Sequence, residues 1–94
     1  MAISRINDFY AAQGRAGELG EFLLSVIATI QSSAGCLSVE LLVDHDNAGH
    51  LVVFERWQDI AAHQAAAKAI PPSRLAHVQA LISTPPNGAY YDPL

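Results

Sequence analysis

Cys36 is the only cysteine, so an intrachain disulfide is impossible and a zinc site built on thiolates is excluded. Also missing are a glycine-rich phosphate loop, an HExxH helix, a GxSxG elbow and any Cys-His arrangement, so nucleotide, zinc-protease and acyl-transfer chemistry have no support. Positive charge is scarce. Arg5, Arg15, Arg56, Lys68 and Arg74 are scattered through a chain of net charge −4, whereas a phosphate backbone needs clustered cations; no nucleic-acid partner is expected. No apolar run approaches the roughly 18 residues of a membrane span. The N-terminal AISRINDFY alternates polar and apolar residues instead of forming a signal-peptide core. No membrane partner and a cytoplasmic location are therefore expected. Chemistry, if present, must be within reach of a histidine, a tryptophan and oriented dipoles.

Ninety-four residues suit one domain spanning positions 1–94, whose core is marginal alone, because a chain this short buries only roughly 60–65% of its unfolded surface. Yet 51% of the residues are hydrophobic and only 15% charged, as expected if apolar surface is kept for a partner. The most informative stretch is GCLSVELLVDHDNAGHLVVFERWQDIAAH, Gly35 to His63. Leu37, Val39, Leu41 and Val43 alternate with Ser38, Glu40 and Leu42; Leu51, Val53, Glu55 and Trp57 alternate with Val52, Phe54 and Arg56. Both faces of this hairpin are too apolar for open water. A sheet greasy on two faces needs two covers, and the helices of one chain suffice for one. A second copy of the chain is the expected second cover.

A first strand is expected over about Ala2 to Ala12, with Ile3, Arg5, Asn7 and Phe9 on one face. Leu19, Phe22, Leu23, Val26, Ile27 and Ile30 recur at helical spacing and predict a helix over about Arg15 to Gln31, with Glu18, Glu21, Ser25 and Thr29 facing water. DHDNAG reads as the hairpin turn and sets Val43 near Leu51 and Val39 near Glu55. Asp59 is a good N-cap for an alanine-rich helix over Ile60 to Ala69, which Pro71 and Pro72 end. Ser73 is expected to cap a short third helix with a Leu75, Val78 and Ile82 stripe, ahead of a last strand around Ala89, Tyr90 and Tyr91. The fold class is thus α+β, a ferredoxin-like βαββαβ arrangement with an antiparallel four-stranded sheet.

Each chemically able residue also has a plain use. His63 shares a helical face with Ile60, Ala67 and Ile70, so it points toward the sheet, either as a core imidazole bonded to backbone or as a base near neutral pH. The small residues Ala61, Ala62, Ala65, Ala66, Ala67 and Ala69 cannot fill a large gap there, which favours a small-molecule pocket. Trp57 either packs structurally or walls a planar ligand. Arg5 and Asn7 either hold a carbonyl or phenolate oxygen or, for Arg5, pair with Glu40 or Glu55 across the sheet. Arg74 and His77, one turn apart, sit at a pocket mouth or in solvent. Tyr90 and Tyr91 point to opposite faces of the last strand. Asp44, His45, Asp46, Asn47 and His50 include metal-ligand types, but a hairpin turn explains them and no metal site is expected.

The Gly35-Cys36-Leu37 start of the second strand, the DHDNAG turn, Phe54-Glu55-Arg56-Trp57, and a helix after Asp59 carrying His63 together resemble the antibiotic biosynthesis monooxygenase (ABM) domain, a dimeric α+β barrel, over nearly the whole chain. The resemblance implies two ferredoxin-like subunits packed sheet to sheet as a homodimer, each with a cavity between sheet and helices. It implies oxidation of a small aromatic hydroxy compound, of quinol or anthrone type, by O2 without flavin, haem or metal. His63 would be the base or orienting group, Trp57 the wall and hydrogen-bond donor, and Asn7 or Arg74 the partner of the substrate oxygen. Arg74, Tyr90 and Phe54 would contact the substrate. Alternatives on the same scaffold are a non-catalytic small-ligand-binding barrel, an isomerase, and a haem-degrading relative using Asn7 and His77.

Overall fold

The computed structural model describes residues 2–94. The element order is β1 (Ile3–Tyr10), α1 (Ala16–Gln31), β2 (Cys36–Asp44), β3 (Asn47–Trp57), α2 (Ile60–Lys68), α3 (Pro72–Gln79) and β4 (Asn87–Tyr91). The strands form one antiparallel sheet in the order β2-β3-β1-β4, which is the expected ferredoxin-like arrangement. Among the described residues no helix is long and apolar enough to cross a membrane.

Register decides which face is covered. β1 lies against β3 with Ile3 opposite Trp57, Arg5 opposite Glu55, Asn7 opposite Val53 and Phe9 opposite Leu51, so these residues share one side. Every buried strand residue is odd-numbered: Ile3, Phe9, Val39, Leu51, Val53, Glu55 and Trp57. Phe9, Val39, Leu51 and Val53 meet Leu19, Leu23 and Ile27 of α1, Val78 of α3 and Leu81 in the core. The expected wet face of α1, Glu18, Glu21, Ser25 and Thr29, is exposed. The even-numbered side of β1, β2 and β3 carries half-buried Ile6 and, on β3, Val52 and Phe54, with exposed Leu42 and, because β4 pairs Tyr91 with Ser4, exposed Tyr91; none of its strand residues is buried.

Four details depart from the sequence pattern. Trp57 pairs with Cys36 while Arg56 pairs with Ser38, so Leu37 is the extra residue of a bulge and is 57% exposed instead of continuing the core stripe. The hairpin is tighter than DHDNAG suggests, because Asp44 pairs with Asn47 and only His45 and Asp46 lie between the strands. Asp44 Oδ1 accepts from the Asp46 amide at 2.9 Å, and Asn47 Oδ1 from the Gly49 amide at 3.0 Å, side-chain turns that use no left-handed backbone. Pro72, not Ser73, opens α3: its missing N–H costs nothing in the first turn. Leu81, just after α3, is the residue that reaches the core, 1% exposed, whereas Leu75 is 48% exposed.

The end of the hairpin is tied to β1 by a cluster on the even-numbered side. His50 reaches Asp44 Oδ2 through Nδ1 at 2.9 Å and Asp8 Oδ1 through Nε2 at 2.7 Å, and its ring stacks on Tyr10 at 4.4 Å between centroids. Only the imidazolium can donate to both carboxylates at once. These bonds, the one from Asp44 foremost, push His50 above its ordinary 6.5, and His50 holds the Asp44 carboxyl below 3.8. Because the folded histidine binds its proton more tightly than the unfolded one, the stabilisation is complete below about pH 6.5 and fades as pH rises through the raised value. The melting-temperature advantage of the wild type over His50→Gln should therefore shrink as pH rises above about 6.5. An advantage independent of pH would contradict the ionic tie.

Candidate active site

The position of α2 over the sheet follows from its N-terminal side. Gly35 has φ +84° and lies so close to α2 that a Cβ there would come within 2.6 Å of the Ala62 Cβ. The Gln58 amide donates to the Gly35 carbonyl at 2.9 Å, and Asp59 caps the helix as expected, accepting from the Ala62 amide at 2.8 Å. A residue one turn further on, His63, is thereby aimed at the covered face of the sheet. Because Ala66 and Ala67 follow it, α2 offers little bulk to close the space beneath. A cavity of about 240 Å³ remains. Its floor is Arg5, Asn7 and Phe9 of β1 with Val53, Glu55 and Trp57 of β3; α1 contributes Phe22, Leu23, Val26 and Ile30, and His63, Ala66, Ala67, Ile70, Arg74, Leu75 and Val78 form the opposite wall, with Pro86 at the rim.

Glu55, Trp57, His63 and Tyr90 form one connected set of polar groups. Trp57 is fully buried, and its Nε1–H donates to Glu55 Oε1 at 2.8 Å, so the tryptophan is a wall whose N–H is already engaged. His63 Nδ1 lies 2.5 Å from the Tyr90 hydroxyl, and its ring meets Trp57 edge-on at 5.5 Å and Tyr90 at 5.3 Å. Nε2 has no partner among the described residues. When Nδ1–H donates to the Tyr90 oxygen, Nε2 carries the lone pair and is a proton acceptor; when the phenol donates to Nδ1, Nε2–H is a donor. Tyr90 thus governs which role the imidazole plays. Burial, reinforced by the Arg5 charge, pushes His63 below 6.5, so it is neutral at physiological pH. Burial likewise pushes the Glu55 carboxyl above 4.5, with the Trp57 hydrogen bond and Arg5 pulling the other way.

Arg5 lies opposite Glu55 in register, yet the two form no ion pair within 4.0 Å, and the cross-sheet pairing expected of Arg5 with Glu40 or Glu55 is not made. Instead the guanidinium carbon sits 4.7 Å from the centre of the Tyr90 ring. Gly88 makes room for it: a Cβ at that position would collide with the Arg5 guanidinium and come within 2.9 Å of Asn7 Oδ1.

Of the residues singled out from sequence, His63, Trp57, Asn7 and Arg74 line the cavity, and Tyr90 joins them through His63. Arg74 is half-buried, its guanidinium donating to Ser25 Oγ at 2.6 Å and lying 5.5 Å from the Phe22 ring centre. Phe54 does not belong with them. It is even-numbered, pairs with Ile6 and Glu40, and projects from the uncovered side of the sheet. His77 is exposed outside the cavity, beside Phe22 at 5.1 Å, and gives the haem-degrading alternative no ligand there. Glu55 is expected from sequence opposite Val39 and as a partner for Arg5, but not as a cavity residue; it is buried at 4% exposure and lines the cavity. No cluster of three or more metal-ligating side chains is present among the described residues.

The pattern for antibiotic biosynthesis monooxygenases matches residues 2–82. The chain belongs to that family. Among solved structures it is similar to Rv0793 of Mycobacterium tuberculosis, with a TM-score of 0.87 at 25% identity over 100% of this chain and 96% of that one. PA3566 of Pseudomonas aeruginosa gives 0.85 at 24% identity, over 99% and 94%. SnoaB of Streptomyces nogalater, described as a cofactor-independent oxygenase, gives 0.79 at 22% identity, over 98% and 92%. These likenesses establish the shared ABM fold. None of the curated proteins matches the chain.

Proposed function

We propose that this ABM protein is a cofactor-independent monooxygenase of a small aromatic hydroxy compound of quinol or anthrone type. The observation that carries the reading is a neutral imidazole, His63, held by Tyr90 at a largely apolar cavity between the sheet and the helices. An acidic phenol or anthrone seated there loses a proton to Nε2. The resulting electron-rich anion is itself the reductant of O2; on an anthrone-type substrate one oxygen atom becomes the new carbonyl, and the other leaves as water with the two hydrogens of the oxidised carbon. The protein supplies the base, holds the anion and keeps bulk water away. Asn7 and Trp57 hold and wall the ring system. A volume near 240 Å³ lies below the roughly 300 Å³ at which drug-sized pockets begin, which favours a compact fused-ring substrate. The description of SnoaB as a cofactor-independent oxygenase supports the same direction.

Oxygen uptake by the pure protein over a panel of quinols and anthrones tests the reading. The expected result is a rate above buffer that falls by about 100-fold or more in His63→Ala, in the range that general-base loss produces. Its acidic limb should lie below the ordinary imidazole value of 6.5. No uptake over the panel, or an unchanged rate in His63→Ala, would sink it. Turnover of a substrate under nitrogen would point instead to an isomerase.

The uncovered side of the sheet supports a homodimer packed sheet to sheet. Ile6, Val52 and Phe54 form its apolar centre, and polar Ser4, Ser38, Glu40 and Arg56 surround it. In this reading Phe54 is an interface residue. Sedimentation at low micromolar concentration should give a dimer for the wild type and a shift toward monomer for Phe54→Glu. A wild type that sediments as a well-folded monomer would overturn the assembly.

A further inference from the structure

Arg5 is an anomaly that the proposed reaction does not use. It lies half-buried on the cavity floor, yet its guanidinium makes no hydrogen bond and no ion pair to any described residue, and its Nε is sealed from solvent without a partner. A cation in such surroundings ordinarily carries its counter-charge with it, since burying an unpaired ion is unfavourable. The nearest carboxylate in register, Glu55, is engaged by Trp57 and stands off beyond ion-pair distance. Arg5 is nevertheless held in place, between the face of Tyr90 and the gap that Gly88 leaves. Arg74, at the opposite wall, also lacks a carboxylate partner. A protein of net charge −4 thus directs two of its five cations into one small cavity that contains a single carboxylate.

We propose that the ligand brings the missing negative charge: the cavity takes an aromatic hydroxy acid, and Arg5 binds its carboxylate. The planar fork of a guanidinium suits the two oxygens of a carboxylate, and a fixed fork loses little freedom on binding. Arg5 then orients the ring so that the hydroxyl faces His63, with Asn7 beside it on β1. The inference rests on the cavity being a small-ligand site, as in the proposed function, but not on oxygen chemistry.

Calorimetry under nitrogen with hydroxynaphthoic acid and its neutral methyl ester separates the two. Wild-type protein should bind the acid about 10-fold or more tightly than the ester. Arg5→Met should abolish that preference with little change for the ester, and Arg5→Lys should keep part of it, because a point charge replaces the fork. Equal binding of acid and ester by the wild type, binding of neither, or a preference that survives in Arg5→Met would overturn the proposal. The wild-type comparison decides the matter even if a variant fails to fold. Acid-selective binding without any oxygen uptake would remove the monooxygenase reading and leave this one standing.

Discussion

Eight consecutive residue pairs join β1 to β3, and the rest of the molecule depends on their register. The pairing sets apolar Ile3 against Trp57 at one end and Phe9 against Leu51 at the other, with Arg5, Asn7 and Glu55 between them on the same side. Because side chains alternate along a strand, a slip of one residue would carry the polar group to the uncovered side and bring Ile6 and Phe54 under the helices. The apolar pairs at the ends oppose that slip. A polar centre with greasy ends is therefore a consequence of pairing, and the site is built into the sheet before any loop contributes.

Helix α2 completes the site by what it lacks. Asp59 starts it, Gly35 lets it approach, and His63 faces inward, but the alanines that follow leave the polar floor unfilled. A well-packed core would collapse onto such a gap or fill it with larger side chains. Keeping it open while burying Glu55 and an unpaired Arg5 sacrifices stability, which is how functional sites commonly differ from the rest of a core.

Much of this was legible in the sequence because alternation and helical spacing are local. The sheet, the Val39–Glu55 and Val43–Leu51 pairs that put the odd-numbered hairpin residues on one face, the Asp59 cap and the inward His63 follow from residue types at fixed spacing. What was not legible depends on distant partners. Leu37 fits the stripe, and only its pairing with β3 reveals the bulge that turns it out. Leu81 outranks Leu75 because the chain bends back to β1 after α3, where the Ala12 amide bonds the Leu81 carbonyl at 2.8 Å. The resemblance sets Phe54 among the substrate contacts, but its adjacency to Glu55 on a strand places the two on opposite sides. Tyr90 is expected from sequence to contact the substrate, while its hydrogen bond to His63 depends on the β1–β4 register.

The central claim is that the space beneath α2 is a preserved opening and not an accident of loose packing. Thermal and denaturant unfolding of Ala66→Leu tests it most directly, because the added side chain projects into that space. An open cavity predicts stability equal to or above the wild type, since new apolar contacts form without displacing old ones. A loss of about 1–3 kcal/mol, the usual cost of overpacking a filled core, would contradict the account.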